Sequence, residues 1–211
     1  MCSKFPLLHV PYLVLSKIVS LADPSTLVII SLCSKRAKIA IKSVARFKNW
    51  QLTIFNGPRV YLTYCKGMVI CYLTVLGAQS ASELLADQYS ESVMIGNSKV
   101  PVLLNNKYLN IYCKDDEPLE KVKPMKGYCL DTYWEDRIEG LKQVIEYVSD
   151  LFQLSVSDVS IGRGDEWILE WIKTRQNEKL KDVTLDIFGS ECYPSEKLEL
   201  VLRYVKGSRR Q

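Results

Sequence analysis

Two adjacent residues, Asp23 and Pro24, decide what the N-terminal part of this chain can fold into. Proline has no backbone N–H and its ring clashes with the preceding turn, so it is excluded from a helix interior but suits the first helical position, with aspartate before it as N-cap. The apolar residues on either side of the pair therefore form two short helices rather than one long one. Pro11 opens the first of them in the same way. After it, Val14, Leu15, Ile18, Val19, Leu21 and Ala22 share one side of a helical wheel, with Ser16, Lys17 and Ser20 opposite and Leu13 as the exception. The stripe covers about 160° at about 100° per residue, wide enough for both an internal helix and an outside partner. From Leu27 to Leu32 apolar residues go all round the wheel, so this piece is either fully buried or bent near Ser31. Ala37, Ala40, Ile41 and Val44 then form a modest apolar face, with Lys35, Lys38 and Lys42 along another side. Three short helices result, and the stretch from Phe5 to Val44 reads as a docking module whose cargo is the remainder.

Spanning a membrane takes about 20 continuous apolar residues, and no such run exists in the 211 residues. Lys17 interrupts the apolar N-terminus and no small-residue cleavage site follows, which argues against a signal peptide. The seven cysteines are scattered, odd in number and never in a C-x-x-C pair, and His9 is the sole histidine, so neither a zinc site nor a disulfide framework is expected. Reduced, buried thiols in a reducing compartment follow, hence an intracellular protein of the cytoplasm, the nucleus or both. A formal net charge of +4 is too mild to argue for nucleic acid.

Between Trp50 and Tyr112 the pattern changes to β-branched and aromatic runs, QLTIF, RVYLTY, MVICYLTV, SVMI and YLNIYC, broken by Asn56-Gly57-Pro58, Gly67, Gly96-Asn97 and Asn105-Asn106. These read as mostly antiparallel strands, with a helical turn over 80–87. The charged stretch from Lys114 to Lys126 has two prolines and no periodicity, and reads as a surface loop. Thr132 to Glu135 has the form of a capping box, opening a helix whose apolar face is Trp134, Ile138, Leu141, Ile145, Val148 and Phe152. A motif then recurs at an offset of 24 residues: Val156–Ile161 (VSDVSI) and Leu180–Leu185 (LKDVTL). Each copy is strand-like and precedes a helical pattern, Trp167, Ile168, Trp171 and Ile172 after the first, Leu198, Val201, Leu202 and Val205 after the second. Strand–helix units at this period resemble leucine-rich repeats, but two are too few to stand alone, so the strand-rich middle has to supply the missing burial.

Chemistry is sparse. A Ser-His-Asp or Cys-His site would have to use His9, which reads better as a surface residue at a helix start. Gly162-Arg-Gly164 follows a strand and precedes a helix, yet Trp167 stands where a dinucleotide fingerprint needs its third glycine, so a plain strand-to-helix turn is preferred. No catalytic, cofactor-binding or metal-binding residue is assigned. Trp167 and Trp171, one turn apart, are the candidates for an exposed anchor on a partner protein.

The pattern Leu8-x-x-Pro11-x-x-Val14-Leu15-x-x-Ile18-x-x-Leu21, then Asp23-Pro24-x-x-Leu27, then Ser31-Leu32-Cys33-x-Lys35-Arg36, resembles an F-box, and more narrowly the F-box of the large nematode F-box families. The stretch from about Gly140 onward is similar to the F-box-associated domain of those proteins. The resemblance implies an α+β chain: a three-helix F-box over 4–46, then an associated domain over 50–207. That domain divides into a strand-rich part (50–113), a loop (114–130), and a helix with leucine-rich-repeat-like strand–helix units (131–207). It implies a non-catalytic subunit that binds a Skp-family adaptor, and through it a cullin–RING ubiquitin ligase core, and that recruits a protein substrate. Carried over by position, the adaptor-facing residues are Leu8, Pro11, Leu15, Ile18, Leu27, Leu32 and Cys33. Val10 stands where leucine is usual before the proline, and Ala37 near where many F-boxes have tryptophan. The competing expectation is a protein-interaction scaffold that works outside any ligase.

Overall fold

The computed structural model describes residues 11–45, 47, 49–55, 59–66, 69–84, 91–108, 110–113, 126–162 and 165–185. Three ten-residue helices come first: α1 (Tyr12–Leu21), α2 (Pro24–Cys33) and α3 (Lys35–Val44). Pro11 precedes α1, and Asp23 caps α2, its carboxylate accepting from the Thr26 backbone N–H at 2.9 Å with Pro24 in the first turn. Strands β1 (Trp50–Phe55), β2 (Arg59–Lys66), β3 (Val69–Ser80), β4 (Glu91–Ile95), β5 (Ser98–Tyr108), β6 (Asn110–Cys113) and β7 (Lys126–Trp134) follow, then α4 (Arg137–Phe152), β8 (Val156–Ile161), α5 (Trp167–Arg175) and β9 (Asp182–Leu185). The expected helical turn after Ser80 is a short 3-10 turn, Ala81–Glu83.

All nine strands join one sheet in the order β4-β5-β7-β3-β2-β1-β8-β9, with β6 paired to β3 off this path. The sheet is more mixed than expected: β1–β2, β2–β3, β3–β6, β4–β5 and β5–β7 are antiparallel, whereas β1–β8, β3–β7 and β8–β9 are parallel. The 24-residue repeat is visible as register, since Asp158, Val159, Ser160 and Ile161 pair in order with Asp182, Val183, Thr184 and Leu185. The two strands and the helix α5 between them form a parallel strand–helix–strand unit that gains its burial through β1, which accepts β8 as a parallel neighbour. The second helical pattern, Leu198 to Val205, lies outside the described residues.

Two element boundaries depart from the sequence reading. Residues 126–130, expected as loop, begin β7, because their ladder runs along β5 from Tyr108↔Lys126 to Val102↔Thr132. Thr132 is consequently a buried strand residue and not a helix cap. Its hydroxyl donates to the Gly77 carbonyl at 2.6 Å and accepts from Trp134 Nε1 at 2.6 Å. The cap of α4 is Asp136, which accepts from the N–H groups of Ile138 and Glu139. Trp134 ends the strand with its ring against Gly140 of α4, and Ile138 is 43% exposed, while Leu141, Val144, Ile145, Val148, Leu151 and Phe152 carry the buried face.

Helices α2 and α4 pack on β3 and β7, with α3 between α2 and α4 and α1 on α3. Leu52 and Leu62, and Ile54 and Val60, are directly paired across β1 and β2 and wholly buried. Leu15, Val19, Leu27, Val28, Ile41 and Val44 belong to the same hydrophobic cluster as these strand residues. The N-terminal helices thus share one core with the sheet. On β7 the alternate position Asp131 is 3% exposed, and Asn105 Nδ2 at 2.5 Å, Gln79 Nε2 at 3.4 Å and Arg59 Nε at 3.5 Å converge on its carboxylate. Gly77 makes room for it, because a Cβ there would collide with Asp131 Oδ1.

Candidate docking surface of the N-terminal helices

Helix α1 divides its wide apolar stripe. Leu15 and Val19, one turn apart, are buried, and Ile18 and Ala22 are half-buried. Val14 stays 46% exposed, Tyr12 59%, Leu21 74% and Leu13 81%. Helix α2 is apolar all round because it is enclosed on several sides: Leu27 and Val28 are fully buried, and the helix lies on β3 and β7 beside α3. Burial extends to its two serines. Ser25 Oγ donates to the Thr74 carbonyl at 3.2 Å, and Ser31 Oγ donates to the Val28 carbonyl at 2.7 Å. Helix α3 turns Ala37, Ile41 and Val44 inward as its periodicity predicts, and leaves Lys35, Arg36 and Ile39 exposed.

Five contacts tie these helices to α4 and its C-cap. The Ser31 proton is committed to Val28, so the Tyr147 hydroxyl is the donor in its 2.8 Å hydrogen bond to Ser31 Oγ. Lys38 Nζ sits 4.3 Å from the Tyr147 ring centroid and 3.0 Å from Asp150 Oδ2, while Lys42 Nζ binds Asp150 Oδ1. Gln153, in the left-handed conformation that ends α4, donates through Nε2 to the Lys42 carbonyl at 3.0 Å. Burial pushes the Tyr147 phenol up to about 12, with the negative charge of Asp150 acting in the same direction. Partial burial also pulls the Asp150 carboxyl upward. Hydrogen bonds and charge from Lys42 and Lys38 outweigh it and hold the group below the usual carboxylate range.

The positions carried over from the resemblance separate into three groups. Pro11 and Cys33 are exposed, Ile18 and Leu32 half-buried, and Leu15 and Leu27 interior, at 8% and 1% exposure. Leu8 lies outside the described residues, as does His9. Cys33 is exposed and Cys129 buried, so burial holds for one of these two cysteines only. Sequence reasoning passed over Leu13 and Ile39, the most open aliphatic residues of α1 and α3. The available signal was Leu13 itself, an apolar residue on the polar side of its own helix.

Trp167 and Trp171 are half-buried on α5, packed against the core. Lys142 of α4 lies 5.5 Å from the Trp167 ring centroid and Arg175 lies 6.0 Å from that of Trp171. Trp171, Ile172, Arg175 and Gln176 line a groove of about 340 Å³ with Ile145, Glu146 and Leu154, and Arg175 spans to Glu146 at 2.7 Å. No described helix is long and apolar enough to cross a membrane.

Residues 7–49 match the family model described as F-box domain. No curated protein and no solved structure matches the chain. The chain therefore carries an F-box domain, with α1, α2 and α3 as its helices, and F-box domains bind Skp-type adaptors.

Proposed function

We propose that the chain is a substrate-recognition subunit of a Skp–cullin–F-box type ubiquitin ligase. In this reading α1–α3 hold a Skp-family adaptor, and through it a cullin–RING core, while residues 50–207 act as an F-box-associated domain of the nematode type that recruits a target protein. The observation that carries the reading is the F-box match over residues 7–49 together with an α1 that leaves Leu13, Val14 and Leu21 exposed. Pro11, Ile18, Leu32 and Cys33 serve as adaptor contacts at the helix ends. Leu15 and Leu27 act from the interior by holding α1 and α2 in place. The chain supplies no catalysis of its own, as F-box proteins are generally adaptors. The α4–α5 groove with Trp171 on its wall, and Trp167 beside it, is the preferred place for a target segment, since a half-buried tryptophan combines a rigid apolar surface with a polar tip. The protein works inside the cell, where its partners are.

A second reading gains from the shared core: because α2 is packed on the sheet, the helices would also suit a scaffold that acts outside any ligase. One experiment separates the two. The full chain is co-expressed with a Skp-family adaptor and a cullin, and purified by a tag on the chain. A stoichiometric complex that is lost in Leu13→Asp with Leu21→Asp supports the ligase reading, and absence of adaptor from the purified wild-type chain refutes it.

A further inference from the structure

The described helical region, residues 11–45, holds five cations, Lys17, Lys35, Arg36, Lys38 and Lys42, against one acid, Asp23. Over the whole F-box match, residues 7–49, Arg46 and Lys48 raise the surplus to six, more than the chain's formal net charge of +4. Two of the five cations are spent on Asp150, and Asp23 is spent on capping α2. Lys17, Lys35 and Arg36 are exposed and make no ion pair among the described residues. Lys17 has a specific setting. Leu13, Lys17 and Leu21 stand at i, i+4 and i+8 of α1, so they form one outward row with neighbours about 6 Å apart along the axis. Leu13 and Leu21 are the two most exposed large apolar residues among those described, with Val14 beside them. Ser20, the other polar residue on this side, turns its hydroxyl back onto the Lys17 carbonyl at 2.8 Å and offers its proton to its own helix.

A row of leucine, unpaired lysine and leucine is the complement of a particular surface. An all-apolar groove would strip Lys17 of water and leave it uncompensated, and an all-polar surface would leave both leucines wet. Resting on the adaptor reading above, we propose that α1 docks by this row into an apolar groove of the Skp-family adaptor that carries a carboxylate midway between two aliphatic pockets. Leu13 and Leu21 fill the pockets, and Lys17 pairs with the carboxylate and sets the axial register of the helix. Lys35 and Arg36 add longer-range attraction to the same acidic partner, so encounter is faster and binding tighter at low salt.

The test titrates the purified full chain against a purified Skp-family adaptor by calorimetry at several sodium chloride concentrations. It compares wild type with Lys17→Ala, Lys17→Glu and the pair Leu13→Ala, Leu21→Ala. All these positions are exposed, so thermal midpoints serve as the folding control. The expected result is a wild-type affinity that falls as salt rises and drops about 5–10-fold in Lys17→Ala. Lys17→Glu is expected to lose about 100-fold and to weaken less with salt than wild type. Binding by wild type that is insensitive to salt and equal in Lys17→Glu overturns the carboxylate and leaves the adaptor reading standing. Binding unchanged in the double-alanine variant overturns the leucine row. No binding by wild type overturns the adaptor reading and this proposal with it. Self-association of the chain that the double-alanine variant abolishes assigns the row to a second copy, which also overturns it.

Discussion

Replacing Tyr147 by phenylalanine should change its effect on stability from harmful to helpful as the solution is made alkaline. At pH 8 the wild-type phenol is neutral in both folded and unfolded chains, and the substitution removes only the Tyr147–Ser31 hydrogen bond. Ser31 keeps its bond to Val28, so no buried group is orphaned and the cost is about 1 kcal/mol. Above pH 10 the balance changes. The unfolded chain ionises near the ordinary value of 10.0, whereas the folded phenol holds its proton to about 12. A group whose folded pKa is raised contributes stability that is complete below the unfolded pKa and lost as pH rises toward the folded one. Each pH unit in the window between the two pKa values removes about 1.36 kcal/mol, so the loss is about 1.4 kcal/mol at pH 11 and about 2 kcal/mol at pH 12. Phenylalanine escapes this loss, so the two stabilities should cross near pH 11, with the variant the more stable above. Urea unfolding of both proteins from pH 8 to pH 12, followed by circular dichroism, gives the difference directly, and titration of the other tyrosines and lysines cancels in it. A difference that stays flat across this range would show that the phenol is not sealed between α2 and α4, and the physical account of how the F-box helices are tied down would fail.

Two further substitutions probe the body of the protein. Gly140→Ala raises helix propensity by about 1 kcal/mol, yet a Cβ there would collide with the Trp134 ring; the variant is expected to melt lower than wild type, and a higher melting temperature would refute the close packing of β7 on α4. Asp131→Ala removes the acceptor shared by Asn105, Gln79 and Arg59 and should cost about 3 kcal/mol in chemical denaturation, while Asp131→Asn, which keeps the shape and one acceptor oxygen, should cost less; equal losses would mean that only the charged carboxylate matters at this position.

Much of the helical region was legible because its constraints are local. Asp23 caps and Pro24 starts a helix through groups a few bonds apart, and α3 buries Ala37, Ile41 and Val44 as a 3.6-residue period requires. The 24-residue repeat was legible too, and its offset is the register by which β8 and β9 pair. Where local signals competed, the reading went astray. Thr132 and Glu135 have the right types and spacing for a capping box, but Thr132 is engaged by Gly77 from β3, a residue 55 positions away that no window of sequence contains.

What the sequence determined alone is that the chain starts with three short helices, continues in strands, and holds an F-box with a marked positive surplus. Which apolar residues of those helices are available to a partner was decided only by tertiary structure. Leu13, Leu15, Leu21 and Leu27 are chemically identical, and periodicity marks the last three as fit for burial or for docking while leaving Leu13 off the stripe. The sheet and α3 take up Leu15 and Leu27, and nothing described covers Leu13 and Leu21. The physical reason is that burial is a property of the neighbours a residue acquires, and here those neighbours come from strands and helices up to a hundred residues further along the chain.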